Sequence, residues 1–376
     1  WLISSPRVPA DLRSMGFDLV ARANNHTTDW GVAGMRYTDR LLTEAGIGHA
    51  GTGETLTAAR APEFLTVPAG RVSLVAAASR FQTGSRASDP AGRIPARPGL
   101  NALRTTRHAV VTAAELETLK VIRDAQPAGS IRRSILDADE RNGTVTLFGA
   151  KYVAASAGTP RGDFVFTVNP QDRREILQNM KQGKQTSDFA ISSLHTHEPG
   201  NYSETPPTFM EDMARDFIDH GADAFIGHGP HQLRGIEIYK GKPIFYSLGN
   251  FIFMENTQQP LLPEAFEKAH LDPTETTAAE ALEHKRVHGV FKESVWYESV
   301  IAVSTFARNG SLRSVRLHPI ELHYASGRDA DRGIPRLAQG SSARRILERL
   351  QRLSGPYGTA IDIHHETGII RVDRTS

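Results

Sequence analysis

The chain has 376 residues, 39% of them hydrophobic and 23% charged, which suits a substantial core in one large domain or two small ones. Its 44 basic and 42 acidic residues leave a net charge of +2, without the basic excess of a nucleic-acid binder, and no stretch reaches the roughly 20 apolar residues of a membrane span. Cysteine is absent, which excludes a disulfide scaffold, a thiolate zinc site and a cysteine nucleophile, whereas 15 histidines supply the commonest transition-metal ligand.

Trp1 rather than methionine stands first, so the chain reads as processed, excised or truncated, with any signal peptide or anchor upstream. Phe17-Asp-Leu-Val-Ala is a short strand-compatible run, and Gly31 to Ala45 carries helical spacing through Met35, Leu41 and Leu42. Gly46 and Gly48 end that helix, and Glu63 to Val67 and Val72 to Ala77 read as buried strands. From Ser79 to Arg107 the chain is rich in Pro, Gly and Arg, which predicts a solvated insertion over 79–110. Its arginines, Arg86, Arg93, Arg97, Arg104 and Arg107, could meet an anionic ligand. Thr112 to Ala125 and Asp172 to Lys181 read as helices.

The informative centre runs from Phe189 to Phe253. Phe189 to Leu194 reads as a strand, Thr208 to His220 as an amphipathic helix, and Ala222 to Ile226 as another strand. Gly235 to Tyr239 and Pro243 to Tyr246 suggest a hairpin turning at Lys240-Gly241. Residues 255–290 form a polar, partly helical insertion, and Val300 to Thr305 pairs with Leu312 to Ile320 around the Asn309-Gly310 turn. A basic helix, Ala343 to Leu353, and a short strand complete the chain. The predicted organisation is an α/β domain over 1–325 with mixed sheets, and an extension over 326–376 packed on or trailing it.

Three apolar strands end abruptly in metal-compatible or proton-transferring side chains. The first runs into Asn24-Asn25-His26 with Asp29 close behind, the second into His195-Thr-His197-Glu198, the third into Gly227-His228-Gly-Pro-His231. Ligands of α/β sheets bind beyond the carboxyl ends of strands, so three such ends can share one site. Imidazole nitrogen with amide oxygen suits a divalent zinc, manganese or iron ion, which would lower the pKa of bound water towards ~7. His26 could protonate a leaving group, with Asp29 holding its far nitrogen. His197 reads either as an outer group or as facing solvent. Asn24-Asn25 alone could be a turn former. His49, His108, His220, His270, His284 and His288 read as ordinary polar residues, and His364-His365 as an exposed pair.

At these same segments the sequence resembles the CapA family, named for poly-γ-glutamate capsule synthesis, whose fold is similar to calcineurin-like metallophosphoesterases. The matching pieces are Gly16-Phe-Asp-Leu-Val-Ala-Arg-Ala-Asn-Asn-His26, Asp29-Trp-Gly, Ser193-Leu-His-Thr-His-Glu198 and Gly221-Ala-Asp-Ala-Phe-Ile-Gly-His-Gly-Pro-His231. The last continues through Tyr239-Lys-Gly-Lys-Pro-Ile-Phe-Tyr-Ser-Leu-Gly-Asn-Phe251, and the resemblance spans roughly residues 10 to 320. It implies two facing mixed β-sheets flanked by helices, an α/β/β/α sandwich. It also implies Asn25, His195, His228 and His231 as metal ligands and His26 as general acid. Asn24, His197, Glu198 and Asn250 would lie in outer or substrate-touching positions, Asn250 lining the site edge or shaping its turn.

The family pattern opens with a strand ending in Gly-Asp and an Asn-Leu-Glu segment, which would precede this chain, so an N-terminally truncated domain with an incomplete two-metal site is expected. Gly229 stands where the family often has another histidine. The resemblance implies a metal-dependent hydrolase of a phosphoester or γ-glutamyl bond, or a non-catalytic component that holds the polyanion, or an inactive relic. An exported, cell-envelope protein is expected on the same ground.

Overall fold

A computed structural model describes residues 2–127, 136, 138–254, 261–289, 292–324 and 331–372. The expected boundary at 325/326 and the 255–260 part of the polar insertion lie outside the described residues. The chain divides into two compact units, one of Trp1–Ala102, Arg174–Pro206 and Met210–Ser376, the other of Leu103–Arg173 with Pro207–Phe209.

The larger unit is built on a six-stranded mixed sheet. Its order is Ile236–Tyr239, Lys242–Phe245, Ala224–His228, Phe189–His195, Gly70–Ala78 and Glu63–Val67. The four inner strands run parallel and the two edge strands antiparallel to their neighbours. Leu74 to Ala78 are all buried, as a parallel strand covered on both faces requires. The register sets His195 opposite His228 on one side and Ala78 on the other, so the carboxyl ends of three strands finish at one level. Beside them, Leu19–Ala21 pairs in parallel with Gly48–Ala50, and Ala23 and Ala50 join Leu74, Ala76 and Ala78 in one apolar cluster.

A second sheet in this unit is antiparallel throughout. Glu298–Phe306 pairs with Leu312–Glu321, which also pairs with Thr367–Arg371 and Arg336–Leu337, and Asp362–His364 closes the far side. The hairpin turns at Asn309-Gly310, where Gly310 takes a φ of 78° and the Asn309 side chain accepts from the Ser311 amide. The Gly340–Ser354 helix buries Ala343, Ile346, Leu347 and Leu350, an apolar stripe at helical spacing. Those side chains share a core with Leu233, Ile236 and Phe245 of the first sheet's end and with Val300, Val315 and Leu317 of the second. The C-terminal segment is thus part of this unit's core.

The smaller unit holds a four-stranded sheet in the order Phe164–Val168, Thr105–Val111, Ala150–Ala154, Thr144–Leu147. The Ala113–Asp124 helix starts at a capping box between Thr112 and Glu115. Of these elements, only the helix was expected. The two-residue turn Phe148-Gly149 has φ of 50° and 79°, the backbone of a tight hairpin without the usual Asn-Gly signal.

Within the segment 79–110, residues 89–95 are exposed, as a solvated insertion would be, while its flanks are packed. Ser85, Ala87, Leu100, Asn101 and Ala102 are buried, and the Asn101 side chain donates to the Ala76 carbonyl at 2.9 Å while accepting from Arg60. In these flanks the backbone of Ala87 and Leu100 pairs inside the fold, Ala87 with Leu100 and Leu100 with Ser85. Two of the segment's arginines are likewise occupied, Arg104 by Asp172 and Arg107 over the Phe164 ring. No helix among the described residues is long and apolar enough to cross a membrane.

Replacing Leu347 with alanine, which deletes a fully buried side chain from the shared core, is expected to cost ~2–5 kcal/mol. Urea denaturation of the full chain reads this as a lowered midpoint, and an unchanged midpoint would show that the helix contributes nothing to folding.

Candidate functional site

The turn after the Leu19–Ala21 strand is closed locally. The Asn24 side chain accepts from the His26 amide at 2.9 Å, and Thr27 hydroxyl donates to the Arg22 and Asn24 carbonyls. Asn24 therefore shapes the turn, which leaves Asn25 and His26 to face the other strand ends. The His26 Nδ1 lies 2.8 Å from Asp29 Oδ2, with the carboxylate buried and the imidazole 40% exposed. Leu2 amide and Gln82 also donate to Asp29, at 2.7 and 2.8 Å, so the carboxylate is held rigidly. The Asn25 amide nitrogen approaches His26 Nε2 at 3.2 Å, which turns its oxygen towards His195.

His195 is the hub. Its Nδ1 lies 2.8 Å from His228 Nδ1, and its Nε2 lies 3.0 Å from Asn25 Oδ1 and 3.1 Å from His197 Nε2. His228 in turn places Nε2 2.9 Å from Ser193 hydroxyl, and His197 Nδ1 donates to Asn201 Oδ1 at 2.8 Å. A neutral imidazole carries one N–H, so this chain has two consistent proton arrangements. In one, Ser193 donates to His228, His228 Nδ1 to His195 Nδ1, and His195 Nε2 towards Asn25 and His197. In the other each donor reverses, and the lone pairs of His195 Nε2, His197 Nε2 and Asn25 Oδ1 converge with no proton among them. That second state is repulsive unless a cation lies between the three atoms. Donors around a tetrahedral zinc at ~2.0–2.1 Å stand roughly 3.3 Å apart, close to the spacing here.

Burial is the main cause that holds His195 well below the ordinary imidazole range, and His228 and His197 push it the same way. Burial likewise lowers His197 and His228 to about 4 each, against the opposing hydrogen bond from Asn201 in the case of His197. All three rings are neutral at pH 7, which is the form that binds a metal.

His231 follows three residues after His228, just beyond the end of the Ala224–His228 strand. Its ring centroid lies 5.4 Å from that of His197, and its φ of 61° is uncommon for a non-glycine residue. Asn250 holds it in place, accepting from His231 Nδ1 at 2.9 Å and donating to the His231 and Trp296 carbonyls. Glu198 is buried, with Arg80 Nη1 3.5 Å from its carboxylate. The structure thus brings Asn25, His195 and His197 to one point, sets His231 beside them, and places His228 behind His195. Among the described residues, no group of three or more His, Cys, Asp or Glu side chains is disposed to hold a metal ion. The converging set is two imidazoles and an amide oxygen. At Gly229, where φ is 124°, a Cβ would sit 2.4 Å from the Thr196 carbonyl, so no histidine fits there without moving the His197 segment.

Sequence reading missed Ser193, Asn201 and Arg80. Ser193 alternates with His195 on one strand and so shares its face, a signal that was available. Asn201 lies four residues past His197 in a loop, where spacing carries no such signal.

Residues 1–255 match the family described as bacterial capsule synthesis protein PGA_cap. An uncharacterized Sinorhizobium fredii protein, y4sH, is 47% identical to this chain over 379 residues, covering 98% of the chain and 79% of its own length. The PGA biosynthesis protein CapA of Bacillus subtilis is 36% identical over 103 residues, 27% of this chain and 25% of its own. A probable polyglutamine synthesis accessory protein of Mycobacterium tuberculosis is 28% identical over 245 residues, 65% of this chain and 47% of its own.

Because His197 and His228 titrate near 4 in the fold and near 6.5 when unfolded, the unfolded chain binds more protons between those values. The metal-free protein is therefore expected to lose stability as pH falls from about 6.5 to about 4, with no further loss from these two rings below that. Urea titrations at pH 7, 5.5 and 4 measure it. A His228→Gln variant should show a shallower decline, and an identical decline would remove His228 from the account.

Proposed function

Since the chain belongs to the PGA_cap family of bacterial capsule synthesis proteins, we propose that it is a divalent-metal-dependent hydrolase of calcineurin-like metallophosphoesterase fold. Its substrate would be an anionic capsule polymer such as poly-γ-glutamate, cleaved at a γ-glutamyl amide, or a small phosphoester. The observation that carries this reading is the meeting of His195 Nε2, His197 Nε2 and Asn25 Oδ1 next to the His26–Asp29 pair.

His195, His197 and Asn25, with His231 alongside, would hold a zinc, manganese or iron ion. A divalent ion bound there supplies a Lewis acid for the substrate oxygen and lowers the pKa of water towards ~7. The protein's own part is proton placement. With a cation at the centre, the relay would run from His195 Nδ1–H to His228 and from His228 Nε2–H to Ser193, so that His195 Nε2 presents its lone pair. Asp29 keeps the Nδ1–H of His26 in place and offsets charge on the ring when Nε2 carries the proton for the leaving group. Asn25 bridges both tasks, its oxygen towards His195 and its nitrogen towards His26.

Anion recognition falls to Arg80. It follows Ser79, whose amide donates to the His195 carbonyl, so it stands at the same sheet end as the centre. Its side chain is 61% exposed and its charge is felt at His197, which suits a guanidinium that meets a carboxylate or phosphate arriving from solvent. The family's capsule role also supports an exported or cell-envelope location.

Elemental analysis after reconstitution with zinc, manganese or iron is expected to find about one equivalent or more in the parent chain and a loss in His195→Ala. No metal in the parent would end the hydrolase reading and leave polyanion binding. With metal present, His26→Ala is expected to lower kcat by ~10²–10⁴ on a phosphoester or γ-glutamyl polymer. Arg80→Ala should instead raise KM by ~10-fold or more with kcat less affected, the value of a charge-assisted hydrogen bond. Equal loss of kcat in both variants would remove Arg80 from the binding role.

A further inference from the structure

The loop from Glu198 to Ser203 follows His197 directly, and it is gripped from beneath by side chains that carry no chemistry themselves. Arg234 is 0% exposed, donates from Nη2 to the Glu198 carbonyl at 2.8 Å and from Nε to the Ser203 carbonyl at 3.2 Å, and its Nη1 has no hydrogen-bond partner among the described residues. Among the described residues, no carboxylate forms an ion pair with it. Burial pushes this guanidinium down to about 10, the mark of a charge kept in the interior at a cost. Gln232, also buried and two residues earlier, donates to the Asn201 carbonyl. Three carbonyls of one short loop are therefore held, at both ends and in the middle.

The grip continues into the C-terminal helix. Arg349 Nη2 donates to Gln232 Oε1 at 2.7 Å, and the same arginine reaches Glu204 at 3.1 Å and Glu298 at 3.5 Å. Ser354 hydroxyl accepts from the Ile236 amide at 3.0 Å, and a Cβ at Gly235 would lie 2.4 Å from the Leu353 carbonyl. The Gly340–Ser354 helix is thus seated directly on the segment that carries Gln232 and Arg234. It lies wholly outside residues 1–255, the part that matches the family.

We propose that Arg349 of the C-terminal helix, acting through Gln232 together with Arg234, is a positioning device for His197, so that the segment beyond the family match is part of the functional site. The coupling runs from Arg349 to Gln232, from Gln232 to the backbone of Asn201, and from the Asn201 side chain to His197 Nδ1. With Nδ1–H committed to Asn201, His197 presents Nε2 unprotonated towards His195. The proposal rests on the reading of that nitrogen as a donor at the centre, but the ring's proton position can be read without any metal.

Imidazole ¹⁵N spectra of the metal-free full chain, with His197→Gln used to assign the ring, are the test. The parent is expected to show His197 as a single tautomer with its proton on Nδ1. In Gln232→Ala and Arg349→Met the two ring nitrogens should move towards a common averaged shift, and Arg349→Lys, which can still donate to Gln232, should restore the parent pattern in part. Zinc affinity measured on the same proteins should fall ~10–100-fold in Gln232→Ala, the usual loss when an outer hydrogen bond to a ligand is removed. An unchanged His197 tautomer in Gln232→Ala and Arg349→Met, both still folded by circular dichroism, would overturn the proposal. Should Arg349→Met fail to fold, Gln232→Ala decides alone, since it removes no charge. A parent that binds no zinc yet shows the tautomer change would sink the metal reading and leave the positioning intact.

Discussion

The site depends on one constraint, the parallel pairing that sets His195 opposite His228 at the ends of adjacent strands. A one-residue slip of this ladder would move every side chain of the slipped strand, the imidazole included, to the other face of the sheet. The same packing that buries Ala190 and Leu194 therefore fixes where both imidazoles stand. Their Nδ1 atoms are then close enough that one must donate to the other. From that single shared proton follow the state of His195 Nε2 and its relation to Asn25 and His197. Geometry at the centre is inherited from the sheet.

Inherited geometry also explains how much could be read from residues alone. Gly70–Ala78, Phe189–His195 and Ala224–His228 are apolar runs that stop at polar residues, and such runs are visible because parallel strands buried on both faces need them. The strands of the smaller unit were not visible. Thr105–Val111 opens with four polar or basic residues, Ala150–Ala154 is exposed or half-buried, and the Phe148-Gly149 turn lacks the common Asn-Gly signal. The packed flanks of the 79–110 segment were hidden for a related reason. Proline, glycine and arginine look like solvent-facing chain, yet Asn101 and Arg60 satisfy one another inside the fold.

Within the site, residue types were legible and roles were not. Which nitrogen of a histidine carries the proton is set by its second partner; strand alternation places Ser193 on the His195 face, but nothing in the spacing reveals Asn201 as the partner of His197. His197 and His228 differ only in this respect. One has its far nitrogen turned to a loop amide and its near one to the centre. The other is taken up on both edges by His195 and Ser193. A buried arginine is harder still, because composition alone assigns arginine to the surface.

The arrangement carries a cost that the rest of the unit must offset. His231 holds a left-handed backbone, Arg234 is buried with no ion pair among the described residues, and three imidazoles are kept neutral by exclusion from water. Such features persist only where surrounding packing over-determines them. Much of that packing comes from the second sheet and the Gly340–Ser354 helix, whose Ile346, Leu347 and Leu350 are fully buried against Leu233 and Ile236. Leu233, between Gln232 and Arg234, packs into that core while its two neighbours donate to the loop carbonyls. One three-residue stretch thereby anchors both the core and the site loop. Stability of the antiparallel sheet and order at the histidines are then not independent quantities, because the same few residues transmit the first into the second.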